Sequence, residues 1–201
     1  SKGNDRMSEV RAVADASDVI IACMGLDASL EGEEGDEGNE FASGDKPGLN
    51  LPGLQEEVLK ELVKSGKPVV LVLLSGSALA VPFADEHIPA ILQGWYPGAR
   101  GGKAIADILF GEASPEGKLP VTFYRTTEEL PDFRDYSMKN RTYRYMKQEA
   151  LYPFGYGLSY TDFDMTGTEL SSETIGKGGQ ITVSASVKNT GKMEGAETVQ
   201  V

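Results

Sequence analysis

A chain of 201 residues, 40% hydrophobic and 25% charged, has room for one good-sized core, or for one domain and part of another, and lies well outside the composition of disordered segments. Its formal net charge of −12 argues against nucleic acid and anionic membrane surfaces as partners, since both demand a basic face. Cys23 is the sole cysteine, which excludes an internal disulfide, and the apolar run "PVVLVLLSGSALAVPF" is broken by Ser, Gly and Pro short of the roughly 20 residues a membrane span requires.

Residues 5–16 place Met7, Val10, Val13 and Ala14 at helical spacing and predict an opening helix. "DVIIACMG" follows. A short continuous apolar run of this kind fits a strand buried on both faces of a parallel sheet, with Cys23 as a small buried residue. Next comes "GLDASLEGEEGDEGNEFASGDKPGLNLP", residues 25–52, whose first sixteen residues hold seven carboxylates and no basic residue. Such a loop could be a solvated surface, a metal site or the seat of a carboxylate placed for acid–base work. "DEGNE" has oxygen ligands beside a glycine, but it lacks the alternating ligands, central Gly and terminal Glu of a calcium-binding EF-hand loop.

"LPGLQEEVLKELVKSG" is the clearest helix, with Leu54, Val58, Leu62 and Val63 as its apolar stripe and Gly66 as its stop. "KPVVLVLLSG" and "PAILQGWY" read as strands, and "GGKAIADILFG" as a helix closed by Gly111. Strand–helix–strand–helix in this order predicts an α/β fold, a mostly parallel sheet with helices on both faces and right-handed crossovers. Ligands of such sheets meet the loops at the carboxyl ends of the strands. The acidic loop, "SGSALA" and "WYPGARGG" all follow strands, so all three are expected along one edge.

Residues 125–150 are polar and irregular, and Lys139, Arg141, Arg144 and Lys147 within them read as a solvated basic cluster. From Ser159 the pattern turns to β alternation. "QITVSASVKNTG" sets Ile181, Val183, Ala185 and Val187 on one face, and "GAETVQV" starts another strand.

Several features have a structural and a functional reading. "WYPGARGG" is a glycine-rich turn opening a helix, but it is neither a Walker loop nor a dinucleotide fingerprint, and a structural turn accounts for it. His87 lies beside Asp85 and Glu86 with Ser75 and Ser77 upstream, yet neither serine sits in a nucleophile elbow, which argues against a Ser–His–Asp hydrolase. Trp95 ends a strand on the ligand edge and is a candidate sugar contact as well as a candidate core residue. "RTYRY" and "YPFGYGLSY" read first as an aromatic clamp packing a connector, with Arg141 and Tyr143 as candidate carbohydrate contacts.

The long motif "AILQGWYPGARGGKAIADILFGEASPEGKLPVTF", followed by "LYPFGYGLSYTDF", resembles the C-terminal region of family 3 glycoside hydrolases, the β-glucosidase and β-xylosidase group. The upstream "GLDASLEGEE…GD…LNLPGLQEEVLKEL" is similar to the same family in the same order. The resemblance implies a (β/α)8 barrel that supplies a nucleophilic aspartate, an α/β sandwich domain that supplies an acid/base glutamate on a loop, and often a fibronectin type III-like sandwich. On this pattern residues 1–124 are the C-terminal part of the α/β sandwich domain and 125–158 an irregular connector. Residues 159–201 then form the N-terminal part of the fibronectin III-like (immunoglobulin-like) sandwich. The nucleophile is absent from this chain.

Glu33 is the position that aligns best with the family's acid/base, Glu31 is second and Glu34 third, while Asp36, Glu37 and Glu40 read as surface charge. A carboxyl crowded by other carboxylates has its pKa raised, which suits a group that must hold a proton near neutrality. Where the family has an Asp-Arg pair before the helix, this sequence has Asp45-Lys46, which keeps the charge and loses the bidentate fork of arginine.

The resemblance therefore implies a piece of a retaining, exo-acting β-glycosidase that hydrolyses terminal non-reducing β-D-glycosyl residues, a β-xyloside or β-glucoside, and is inactive in isolation. Its expected partners are an oligosaccharide or aryl β-glycoside and the barrel of the same polypeptide. No cofactor, metal, nucleic acid or membrane insertion is expected, and the whole protein is expected to be secreted or periplasmic. The alternatives are a non-catalytic carbohydrate-binding or scaffold module, and a calcium-binding acidic-loop domain.

Overall fold

The run "VVLVLL" forms the middle strand of a parallel sheet, and its continuous hydrophobicity has a direct cause: Val69, Leu71, Val72 and Leu73 are each at most 1% exposed, so side chains on both faces of the strand are covered. The computed structural model describes residues 6–27, 30 and 46–200. These fall into two compact units, one of residues up to Ile105 together with Pro120–Phe154, the other of Ala106–Leu119 together with the residues from Gly155 onward.

In the first unit the elements run α1 (Met7–Asp15), β1 (Ile20–Gly25), α2 (Gln55–Lys64), β2 (Val69–Leu74), α3 (Pro82–His87) and β3 (Ala90–Gln93). The sheet order is β1-β2-β3, all parallel, with Ile20 opposite Val69 and Val70 opposite Ala90. This is the α/β class expected from the alternation of elements. Helix α2 contacts both α1 and α3. Its deepest residues are Leu59 and Leu62, at 1% and 7% exposure, while Leu54 stands at the helix entrance and is exposed. Full burial of one such leucine contributes roughly 1.5–3 kcal/mol. Gly66, at φ +71, ends the helix in the left-handed conformation that favours glycine.

Two expectations are corrected here. Strand β1 is buried on one face only: Ala22 is buried, whereas Ile21 and Cys23 are exposed. The reason is position, because among the described residues β1 is the outer strand and pairs with β2 alone. Helix α3 was not foreseen. It is six residues long with Pro82 in its first turn, too short for an apolar period to register.

Pro120–Phe154 is irregular apart from a 3-10 turn at Thr127–Glu129 and the short helix α5 (Thr142–Tyr145), yet it is tied to the rest of the first unit. Phe123, 1% exposed, exchanges backbone hydrogen bonds with the 151–152 segment. The Tyr152 hydroxyl donates to Asp85 of α3 at 2.7 Å.

The second unit holds β4 (Phe163–Leu170) and β5 (Val183–Asn189), paired antiparallel from Phe163–Asn189 to Leu170–Val183. The register shifts between Thr166 and Glu169, where Gly167 adopts φ +65, the left-handed conformation a glycine takes in one type of β-bulge. Ile181, Val183 and Val187 leave an apolar face 38–43% exposed. Residues 195–200 form no strand, so the element expected in "GAETVQV" is not present among the described residues. Helix α4 (Gly101–Leu109) begins in the first unit and ends in the second, whose first segment starts at Ala106, and Gly111 closes it at φ +76.

Candidate functional site

The parallel sheet brings the carboxyl ends of β1, β2 and β3 side by side, and the acidic loop leaves from the first of these. At its root Leu26 extends the ladder by one residue, donating its N–H to the Leu74 carbonyl at 2.8 Å. Gly25, one residue earlier, has φ +139, and a Cβ there would lie 1.9 Å from the Leu74 carbonyl oxygen. No residue but glycine fits. The side-chain amide of Gln55, the first residue of α2, engages both backbone groups of Gly25: the Gly25 N–H donates to Gln55 Oε1 at 2.8 Å, and Gln55 Nε2 donates to the Gly25 carbonyl at 2.9 Å.

The returning limb of the loop is held independently. Leu49 accepts the Ala80 N–H at 2.8 Å and donates its own N–H to Thr127 Oγ1 at 2.9 Å, and Asn50 pairs with Ala80 as a parallel bridge. Lys46 Nζ donates to the Gly48 carbonyl at 2.9 Å. Beside the loop root lies a hollow of about 480 Å³ lined in part by Met24, Leu30, Leu54, Gln55, Val58 and Leu74. Glu31, Glu33 and Glu34, together with Asp36, Glu37, Glu40 and Asp45, lie outside the described residues.

At the ends of β2 and β3 a second hollow, about 630 Å³, is lined by Gly76, Ser77, Ala78, Trp95, Val121 and Thr122 among others. Ser75, fully buried, donates its hydroxyl to the Ser77 carbonyl at 2.8 Å and accepts from Gln93 Nε2 at 3.2 Å. Gln93 Oε1 is buried with no hydrogen-bond partner among the described residues. Trp95 is half-buried at φ 52, a left-handed backbone that is rare for so bulky a residue, and its ring meets Phe123 edge-on at 6.2 Å.

Tyr143 connects to the same place, since its N–H donates to Thr122 Oγ1 at 3.1 Å. Its ring stacks on Phe154 at 5.6 Å and 15° and is 45% exposed as a residue. Arg141 turns inward to its own loop, where its guanidinium donates to the carbonyls of Ser137 at 2.9 Å, Asp132 at 3.4 Å and Asp135. Thus Trp95 and Tyr143 are both neighbours of the 122–123 segment, and Arg141 is engaged elsewhere. The sequence reading passed over Gly25 and Gln55. The signals were a glycine ending an apolar strand and a glutamine opening the next helix, and neither announces its partner.

Residues 2–160 match the family profile described as the glycosyl hydrolase family 3 C-terminal domain. The chain belongs to glycosyl hydrolase family 3. Among its relatives in the family, a xylan 1,4-beta-xylosidase of Xylanibacter ruminicola is 49% identical over 183 residues, 90% of this chain and 21% of that protein. A periplasmic beta-glucosidase of Salmonella typhimurium is 37% identical over 207 residues, 97% of this chain and 26% of that protein. A solved β-glucosidase from Erythrobacter marinus superposes with a TM-score of 0.79 at 41% identity, covering 92% of this chain and 24% of the other. The chain thus spans between a fifth and about a quarter of the length of the curated family 3 relatives it matches. Among the described residues no helix is long and apolar enough to cross a membrane.

Proposed function

We propose that the chain is the acid/base-bearing portion of a retaining, exo-acting β-glycosidase that removes terminal non-reducing β-D-xylosyl or β-D-glucosyl residues. The observation that carries this reading is the family 3 match, with relatives named β-xylosidase and β-glucosidase on either side of the substrate question. The placement of the acidic loop supports it. The loop springs from the carboxyl end of a parallel strand, where α/β sheets present their ligand-handling groups.

In this mechanism Glu33, or Glu31 if the register is two residues earlier, first protonates the glycosidic oxygen as the aglycone leaves. The same group, now a carboxylate, then takes a proton from the water that releases the sugar. The nucleophilic carboxylate comes from a (β/α)8 barrel elsewhere in the polypeptide, about 5–5.5 Å from the acid/base in the assembled site. Trp95 and Tyr143 offer ring surfaces for sugar at the same edge of the sheet. The accompanying domain reading is 1–124 for the α/β sandwich portion, 125–158 for the connector and 159–201 for the start of the β-sandwich. Action outside the cytoplasm, in the periplasm or after secretion, accords with the name of the Salmonella relative.

The test uses the whole polypeptide as wild type, Glu33→Ala and Glu31→Ala, assayed on aryl β-xylosides and β-glucosides with good and poor leaving groups. The acid/base variant retains glycosylation by the activated substrates, stalls at deglycosylation, and is rescued by azide with formation of a β-glycosyl azide. If neither variant departs from wild type, the loop is surface charge and the assignment fails. The ratio of xyloside to glucoside turnover names the sugar.

A further inference from the structure

We propose that Gln55 is a positioning residue for the acidic loop, a side-chain amide that substitutes for a neighbouring strand at Gly25 and fixes where the loop leaves the sheet. The inference rests on the reading of that loop as the carrier of the acid/base. Along β1 the backbone groups alternate between the two edges of the strand. Ile20 and Leu26 donate their N–H groups toward the β2 side, to Pro68 at 2.9 Å and Leu74 at 2.8 Å. Those of Gly25, at odd spacing, point to the opposite edge, where no described strand lies. An unpaired N–H and C=O at the last residue before a long loop would let the exit angle drift.

A primary amide carries the donor and acceptor of a peptide group, and Gln55 presents both to Gly25 at once, at 2.8 and 2.9 Å. The clamp joins the two ends of the excursion from residue 26 to residue 54 directly. Its geometry is over-determined from both sides. Gly25 has no space for a Cβ against Leu74, and Gln55 is held by the first turn of α2. The returning limb has its own anchors at Ala80 and Thr127, so the Gln55 amide acts on the exit at Gly25.

Two substitutions at Gln55 in the whole polypeptide test this, with two more in the loop as controls. Gln55→Met keeps length and removes the amide. Gln55→Glu keeps shape and one acceptor, but when ionised it sets an anion against the Gly25 carbonyl; when protonated it regains the missing donor. Glu33→Ala and Glu31→Ala serve as controls on the loop itself.

With an aryl glycoside whose poor leaving group needs the acid, Gln55→Met is expected to lower kcat by about 10- to 100-fold, the cost of displacing a catalytic group by around an ångström. With a dinitrophenyl glycoside, which leaves without protonation, its glycosylation rate stays within about twofold of wild type. The kcat/KM of Gln55→Glu relative to wild type is expected to climb as the pH falls into the carboxyl range. A folded Gln55→Met variant that behaves like wild type, or that loses both substrates equally, overturns the proposal. So does a flat pH ratio for Gln55→Glu, which decides the matter if the Met variant does not fold. If both glutamate controls match wild type, it is the reading of the loop that has failed, whatever Gln55 does.

Discussion

The guanidinium of Arg11 on α1 donates to the carboxylate of Glu61 on α2, fifty positions away in sequence, and Lys64 reaches the same carboxylate at 3.1 Å from three residues further along α2. The pair lies across the α1–α2 contact. Glu61 is the better covered partner, its side chain 13% exposed against 59% for Arg11. The hydrogen bond from Arg11, with that from Lys64 behind it, holds the Glu61 carboxyl below the usual carboxylate range.

A carboxyl whose pKa is depressed in the folded state contributes stability above its unfolded value, and that contribution is lost as the pH falls through the folded one. Glu61→Gln is therefore expected to lower Tm at neutral pH by a small amount, because the cations are exposed and solvent screens them. The gap between wild type and variant should close as the pH drops below the ordinary carboxylate range. Thermal melts of both proteins from neutral to acid pH check this. A gap that widens in acid would contradict the sign.

Trp95 gives a second expectation. A side chain at φ 52 carries strain that glycine does not, so Trp95→Gly should be more stable than Trp95→Ala by about 1 kcal/mol, the reverse of the usual order. Both variants lose the ring equally, so any difference between them in urea denaturation reports the backbone alone. In the whole enzyme the same pair separates roles: equal rises in KM for both, despite their different stabilities, would place the ring against sugar.

Phe123 is 1% exposed and meets Trp95 edge-on and Tyr152 at 6.1 Å. Phe123→Ala is expected to cost about 3–5 kcal/mol, as for other large-to-small changes in a packed core. Trp95 is the sole tryptophan of the chain, so its emission should shift to the red in the folded variant as the ring loses its neighbour. An unshifted emission with full stability would mean that the cavity had collapsed without cost.

These residues show what the sequence made legible. The periodicity of "LQEEVLKELV" and the unbroken apolar run of β2 reported their own environments, because helix amphipathicity and two-sided burial are written in the segment itself. The same kind of run in β1 misled, since Ile21 and Cys23 are exposed through the strand's place at the sheet margin, a property of its neighbours. Helix α3 escaped notice because six residues carry no period, although proline before "FADEH" was a usable start signal. The acidic loop announced itself by composition. The amide that roots it did not, because Gln55 acts on a backbone thirty residues away and backbone partners leave no mark on composition.

Arg141 gives the last expectation, and it separates two roles for one residue. Its donors reach three carbonyls of the 132–137 segment, a turn further tied by Asp132 to Arg134 and by Asp135 Oδ1 to the Ser137 N–H at 2.8 Å. That segment carries Phe133 and Tyr136 almost fully exposed, at 93% and 91%. Arg141→Lys keeps the charge and loses the planar fork that spans several acceptors at once. If Arg141 is a brace, amide hydrogen exchange across 132–138 accelerates in the lysine variant while exchange in β2 is unchanged, and KM for aryl glycosides moves little. If Arg141 instead binds sugar, KM rises in the whole enzyme and the exchange pattern of the loop stays as in wild type. The bonds to carbonyls favour the brace, because Nε and Nη2 are both committed to the carbonyls of Ser137, Asp132 and Asp135 within the loop itself.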